Sequence, residues 1–240
     1  MIRDAKRFSD DAIYLNDSKL GDAKETFKFM VDLIDNLDQA DPLRIFDVGC
    51  ASGEFIHFLN RRIPGCQSAG LDISAAMIEQ ARKDIPKSTF HVGSALEPEN
   101  FTDKEFDVVT SSGVLCIFDD IEVPLANMLS CVRKGGTILI YTIVNDDPID
   151  LIMRYRRSDG AEPGEWEQGW NVFSKQTFEK SLWKLDPDLT WRWHPFEISI
   201  PLAKRSDPMR TWTIRTDDRQ NQLVNGAGQL VNTQFLQINV

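Results

Sequence analysis

Residues 44–54 read R-I-F-D-V-G-C-A-S-G-E, and this stretch decides the fold. An apolar run carries Asp47 near its end, turns through Gly49, Ala51 and Gly53, and gives way to an amphipathic segment from Glu54. Small residues at that spacing let the backbone turn sharply and approach a ligand closely. A second acidic residue, Asp72, closes the next short apolar run, S-A-G-L-D. Strand, turn, helix, strand and acid, in that order, are how an α/β domain holds a ribose-bearing cofactor.

Working outward, the same alternation continues. Leu43–Val48, Gln67–Asp72, Thr89–Val92, Phe106–Ser111 and Thr137–Val144 read as short buried strands. Between them Glu54–Ile63, the stretch from Ser74 to Asp84 and Val123–Val132 have helical spacing, with Pro64-Gly65 and Lys134-Gly135-Gly136 as stops. Upstream, Phe27, Met30, Val31, Ile34 and Leu37 place a helix from an Asp22 cap to near Gln39. Apolar strands alternating with helices predict a Rossmann-like, seven-stranded, mostly parallel sheet with helices on both faces. Beyond Asn145 the chain changes character. Helix Ser174–Leu185, strands Leu189–Ile200 and Phe235–Val240, and pieces at Trp212–Arg215 and Gln222–Val224 read as an elaborated C-terminal cap plus the last sheet strands. All six tryptophans lie between Trp166 and Trp212. The expected organisation is one domain: an N-terminal arm and helix (1–40), a cofactor-binding core (41–145) and a substrate-side cap (146–240).

Composition narrows the chemistry. At 240 residues and a net charge of −10, with no basic run longer than Arg154–Arg157, the chain lacks the cationic surface from which polyanion binding draws its affinity. Nucleic acid is therefore not expected as a partner. No apolar run approaches the roughly 18–20 residues that cross a bilayer, and the N-terminus lacks the basic-then-apolar order of a secretory signal. A cytoplasmic location without membrane association follows as an expectation. Cys50, Cys66, Cys116 and Cys131 are scattered, without a C-x-x-C pair, and only three histidines are present, so no metal site is expected.

The spacing of the turn discriminates between cofactors. A dinucleotide fingerprint needs Gly at positions one, three and six. Counted from Gly49, position three is Ala51, position six is Glu54, and Gly53 falls one residue early. A pyrophosphate gains nothing from Asp47 and Glu54 beside it. The pattern D-x-G-x-A-x-G suits instead a cofactor with a cationic, amino-acid-like end, as in S-adenosylmethionine.

These residues resemble the class I S-adenosylmethionine-dependent methyltransferases, close to the small-molecule branch. The resemblance spans roughly 22–144 and rests on four places in order: I-F-D-V-G-C-A-S-G-E-F, G-L-D-I-S-A-A-M-I-E-Q-A-R, F-H-V-G-S-A-L, and F-D-V-V-T-S-S-G-V-L followed by V-R-K-G-G-T-I-L-I. It implies that Asp47 lies near the methionine end of the cofactor, with the backbone of Gly49, Cys50, Ala51 and Gly53 along it. Asp72 would accept from both ribose hydroxyls, and Ile73 and Met77 would pack on the adenine. Ser94 and Ala95 would address the adenine edge, and Ser111 and Ser112 would line the cofactor beyond the fourth strand. Many relatives carry Asp at the position of Ser94, so a charge-assisted hydrogen bond worth about 1 kcal/mol is missing. Bland readings compete: Asp47 as a cap for the following turn, Asp72 as a cap for the next helix, Met77 as core, and Ser111 and Ser112 as ordinary strand ends.

Methyl transfer from a sulfonium is an in-line displacement that depends mainly on alignment; a hydroxyl or carboxyl nucleophile also calls for a base or acceptor near it. Few residues offer one. His57 and His91 fall in core elements, so the candidates are His194, in W-R-W-H-P-F, and Tyr14, which resembles a tyrosine that some relatives fold over the cofactor. Asp146, Asp147 and Asp150 follow the fifth strand at the crevice edge, and the N-P-P-[YF] signature of nucleobase amino methylation is replaced by N-D-D-P. The acceptor is expected to be a small molecule or a carbohydrate, which aromatic side chains of the cap could stack against; a homodimer is left open. Two rival classes stand beside this reading: a cofactor-binding protein without transferase activity, and an NAD(P)-dependent oxidoreductase.

Overall fold

The computed structural model describes residues 23–37, 42–101, 106–160, 162 and 164–240. In chain order the main elements are α1 (Glu25–Asp35), β1 (Arg44–Val48), α2 (Glu54–Arg62), β2 (Gln67–Asp72), α3 (Ala75–Asp84), β3 (Thr89–Val92), β4 (Phe106–Ser112), α4 (Glu122–Cys131) and β5 (Val132–Asn145). A short pair, β6 (Arg154–Tyr155) and β7 (Glu167–Gln168), precedes β8 (Phe173–Ser174), α5 (Lys175–Leu185) and β9 (Thr190–Pro195). The chain closes with β10 (Trp212–Ile214), β11 (Gln222–Val224), β12 (Leu230–Val231) and β13 (Thr233–Asn239).

The main sheet runs β3-β2-β1-β4-β5-β13-β9, with β8 attached to the end of β5. Strands β1 to β5 pair in parallel, and β13 lies antiparallel between β5 and β9. The expected mostly parallel seven-stranded sheet is therefore present. β10, β11 and β12 form a separate antiparallel sheet, so two of the C-terminal pieces build a cap while β9 and β13 complete the main sheet.

Side-chain alternation splits the core into two layers. Ile45, Val108, Leu139 and Phe235 face α1 and α2, where Phe27, Ile34, Phe55 and Leu59 meet them. Phe46, Val48, Val109, Ile138 and Ile140 face the other way, onto α4 and α5 through Leu125, Met128, Phe178 and Leu182. Phe178 is fully buried, edge-on to both Phe173 and Trp193. Ser74 and Ser174 cap α3 and α5 by accepting from the Met77 and Thr177 amides. The first helix is shorter than expected: Lys24, not Asp22, is its N-cap residue, and it ends at Asp35 with Asn36 as the C-cap, short of Gln39.

One boundary differs from expectation. The Lys134-Gly135-Gly136 stop does not separate α4 from the fifth strand, because β5 starts at Val132, opposite Phe106, and the next pair is Val108 with Thr137. Residues 133–136 bulge out of the ladder, and the Arg133 guanidinium pairs with the buried Asp107 carboxylate. Likewise, Leu189–Ile200 is a strand only over Thr190–Pro195; the rest leaves the sheet to build the cap side of the cavity described next.

Candidate active site

Parallel strands bring their C-terminal ends to one edge, where ligands of open α/β sheets bind. Here that edge opens into a cavity of about 470 Å3. Its floor is the Asp47–Ala51 turn with Ser112, Gly113 and Cys116; its sides come from the start of α1, from Tyr141–Ile143 of β5, and from residues 196–211 with the small sheet.

The turn is packed tightly against its own neighbours. Gly49 and Gly53 both have left-handed backbones, φ +79° and +81°. A Cβ on Gly49 would sit 2.2 Å from Val114 Cγ2, and one on Gly53 would sit 2.7 Å from Ile85 Cδ1. Ala51 also has positive φ, 48°, an uncommon conformation for a residue with a Cβ. The amides of Gly49 and Cys50 both donate to the Leu71 carbonyl, at 2.7 and 3.0 Å, which stitches the turn to the end of β2.

Two aspartates frame this turn differently. Asp47 is buried and accepts a 2.7 Å hydrogen bond from Thr110 Oγ1 on β4. Burial pushes its carboxyl up to about 7, against the lowering effect of Thr110 and with a further push from the Asp72 charge. It does not cap the turn; it stands at the inner end of the cavity. Asp72 is half-buried, and its two oxygens accept the amides of Ala51 and Ser74 at 2.8 and 2.9 Å. One carboxylate thus braces the ends of β1 and β2. Beside it, Ile73 is 74% exposed, an aliphatic side chain held out in front of the strand ends.

The other residues singled out from sequence sort by geometry. Cys50 and Ser112 line the cavity. Ser111 is buried, and its hydroxyl donates to the Val48 carbonyl across β1 and β4. Met77 is buried at the start of α3. The Ser94 hydroxyl accepts the Leu96 amide, and the buried Ala95 carbonyl accepts from Asn127. His194 lies on β9 with Nε2 3.0 Å from Gln237 Oε1, away from the cavity wall. Tyr14 lies outside the described residues. The tryptophans are dispersed: Trp170 lines the cavity, Trp193 packs on Phe178, and Trp183 is exposed. Asp146 pairs with Lys175, and Asp150 accepts from Ser174 and Thr177, so two of the acids after β5 are engaged in holding α5. Neither is on the cavity wall.

Sequence reasoning missed Tyr141, Arg205 and Arg210, all on the wall. Burial pushes the Tyr141 phenol up to about 12, so it stands protonated near neutrality. In β5 it reads only as a strand residue; its neighbour across the ladder is Ser112, at the mouth of the turn. Among the described residues, no cluster of three His, Cys, Asp or Glu side chains is placed to hold a metal, and no helix is long and apolar enough to cross a membrane.

The strand order and the single antiparallel strand, β13, are those of the Rossmann-like class I methyltransferase fold. Residues 46–140 match the family described as "Methyltransferase domain". The methyl donor of that family is S-adenosylmethionine. Curated relatives include the trans-aconitate 2-methyltransferases of Yersinia pestis, 28% identical over 57% of this chain and 51% of theirs, and of Rhodopseudomonas palustris, 29% identical over 51% and 48%. The chain spans about half the length of these relatives. Among solved structures, that reported for conversion of a disulfide bond into a thioacetal group during echinomycin biosynthesis aligns over 95% of this chain and 90% of its own, with a TM-score of 0.58 and 16% identity. The YcgJ protein of Bacillus subtilis aligns over 89% and 97%, with a TM-score of 0.58 and 14% identity. At such identities they speak for the fold alone.

Proposed function

We propose that this chain is a methyltransferase that moves the methyl group of S-adenosylmethionine to a small-molecule acceptor by in-line displacement. The observation that carries the reading is one cavity joining the Asp47–Ala51 turn to an aliphatic and aromatic wall. The donor end has features suited to the cofactor. Asp47 is a buried carboxyl raised to about 7, a group that an ammonium would stabilise in its charged form. Gly49 and Gly53 let the turn take its left-handed shape while packing against Val114 and Ile85, where a Cβ would clash. Ile73 offers an exposed aliphatic face next to Asp72, as an adenine–ribose end requires. A dinucleotide is disfavoured because Glu54, which holds Lys24 at 2.7 Å, places a carboxylate where a pyrophosphate would need the helix N-terminus.

When bound, S-adenosylmethionine supplies the methyl group from its sulfonium. The residues then divide the work. Asp47 holds the amino group, with the backbone of Gly49, Cys50, Ala51 and Gly53 beside the methionine portion. Asp72 takes the ribose hydroxyls while keeping its backbone amides, since a carboxylate oxygen accepts more than one hydrogen bond. Ile73 and Met77 pack on the adenine, Ser94 and Ala95 meet its edge, and Ser111 positions Ser112 along the cofactor. Tyr141 donates a hydrogen bond toward the acceptor, and the wall excludes water and orients it.

The acceptor is a small molecule or a carbohydrate, as it is a small molecule for the relatives named for trans-aconitate. The chain works as a single domain in the cytoplasm, without nucleic acid or membrane, as a monomer or homodimer. Incubation with methyl-labelled S-adenosylmethionine and a pooled metabolite extract tests this. Label recovered in a small molecule supports it. Tight S-adenosylhomocysteine binding with no transfer to any fraction would reduce the chain to a cofactor-binding protein, and tight NAD(P) binding without S-adenosylhomocysteine binding would overturn the donor.

A further inference from the structure

In a chain of net charge −10, residues 196–211 bring two arginines, Arg205 and Arg210, to the lining of the cavity. The segment that carries them is fastened. Asp207 accepts from Arg157 Nη2 at 3.0 Å and from the Met209 amide at 3.1 Å, and lies 3.9 Å from Arg210 Nε. The neighbouring Pro208 carbonyl accepts the Gly226 amide at 2.6 Å, tying the segment to the turn after β11. Arg210 is therefore held by a carboxylate and a pinned backbone, unlike a long surface side chain free to swing.

The acids on the cavity have local partners. Glu54 pairs with Lys24, Glu25 accepts from Lys28 and Ser199, and Asp47 accepts from Thr110. The surface around the arginines is apolar, formed by Trp170, Phe196, Ile198, Leu202 and Leu223. Guanidinium groups offer planar, paired donors that match a carboxylate, and a few convergent polar groups in an apolar pocket fix a ligand's orientation. Among the described residues on this wall there is no histidine.

From these features we infer that the acceptor is a carboxylic acid with an apolar body, its carboxylate bound by Arg205 and Arg210 and its body lying against Trp170 and the aliphatic wall. The inference rests on the methyltransferase reading of the same cavity, and assigns the acceptor's chemical class.

The test is calorimetric. The full chain, saturated with S-adenosylhomocysteine, is titrated with paired probes: butyrate, hexanoate, octanoate, 3-phenylpropionate and cinnamate, each against its primary amide. At least one acid binds at least tenfold more tightly than its amide. Arg205→Gln and Arg210→Gln each bring that acid to within threefold of the amide, with S-adenosylhomocysteine affinity changed less than twofold, and Arg210→Lys recovers part of the preference. No acid preferred over its amide, or a preference that survives both glutamine variants, overturns the inference. Failure to bind S-adenosylhomocysteine in the unsubstituted chain would be a different result: it would remove the methyltransferase reading itself.

Discussion

Asp47 offers the sharpest test of how the donor end works. Its carboxyl is raised to about 7 because burial at the end of β1 disfavours the charge more than the Thr110 hydroxyl supports it. If the amino group of the cofactor docks there as an ammonium, binding needs the ionised carboxylate, so below pH 7 each binding event must expel a proton. The ionised fraction is about one-tenth at pH 6 and nine-tenths at pH 8, so S-adenosylhomocysteine should bind about tenfold more weakly at pH 6. That corresponds to about 1.4 kcal/mol. Calorimetry at both values, in buffers of different ionisation enthalpy, reads the affinity and counts the protons. Asp47→Asn should flatten the profile and weaken binding at pH 8. An affinity unchanged between pH 6 and 8 in the unsubstituted chain, with no proton released, would refute the assignment of Asp47 to the ammonium.

The same carboxyl links pH to stability, with the opposite trend. A carboxylic acid whose folded value is raised favours the folded state while protonated, so the ligand-free chain should lose stability as pH rises from about 4 through about 7. Thermal unfolding of Asp47→Asn should show less of this decline, and a steeper one would contradict it. Asp72→Ala should weaken S-adenosylhomocysteine binding by about 1–3 kcal/mol through lost hydrogen bonds to the ribose and a loosened turn; an unchanged affinity in a folded variant sinks the ribose role. Gly49→Ala places a methyl 2.2 Å from Val114 and forces a left-handed alanine, so chemical denaturation should show a loss of at least about 1–3 kcal/mol. Phe178→Ala empties a fully buried site between α5 and β9 and should cost about 3–5 kcal/mol in the same assay, with S-adenosylhomocysteine affinity retained at low denaturant.

What could be read from the sequence, and what could not, follows the range of the interactions. The donor end is written in consecutive residues. Gly49 and Gly53 are needed by backbone conformation, Asp47 and Asp72 by their places at strand ends, and Ser74 by its helix start. Each of these signals is local, so the turn, the alternation around it and the parallel sheet all follow from one short stretch. Where a local signal met a longer-range one it misled. Lys134-Gly135-Gly136 reads as a stop between helix and strand, yet Val132 already pairs with Phe106, and the glycines let residues 133–136 bulge around Asp107. The wall proposed for the acceptor has no local signature at all. Tyr141, Trp170 and the residues Phe196, Arg205 and Arg210 come from three separate segments, and each looks ordinary within its own. Only the antiparallel addition of β13 and β9, with the small sheet folded over the strand ends, brings them to one surface. This division has a chemical sense: a cofactor bound by backbone and strand-end acids constrains a contiguous motif, whereas an acceptor met by side chains from a cap leaves each contributing segment free to vary.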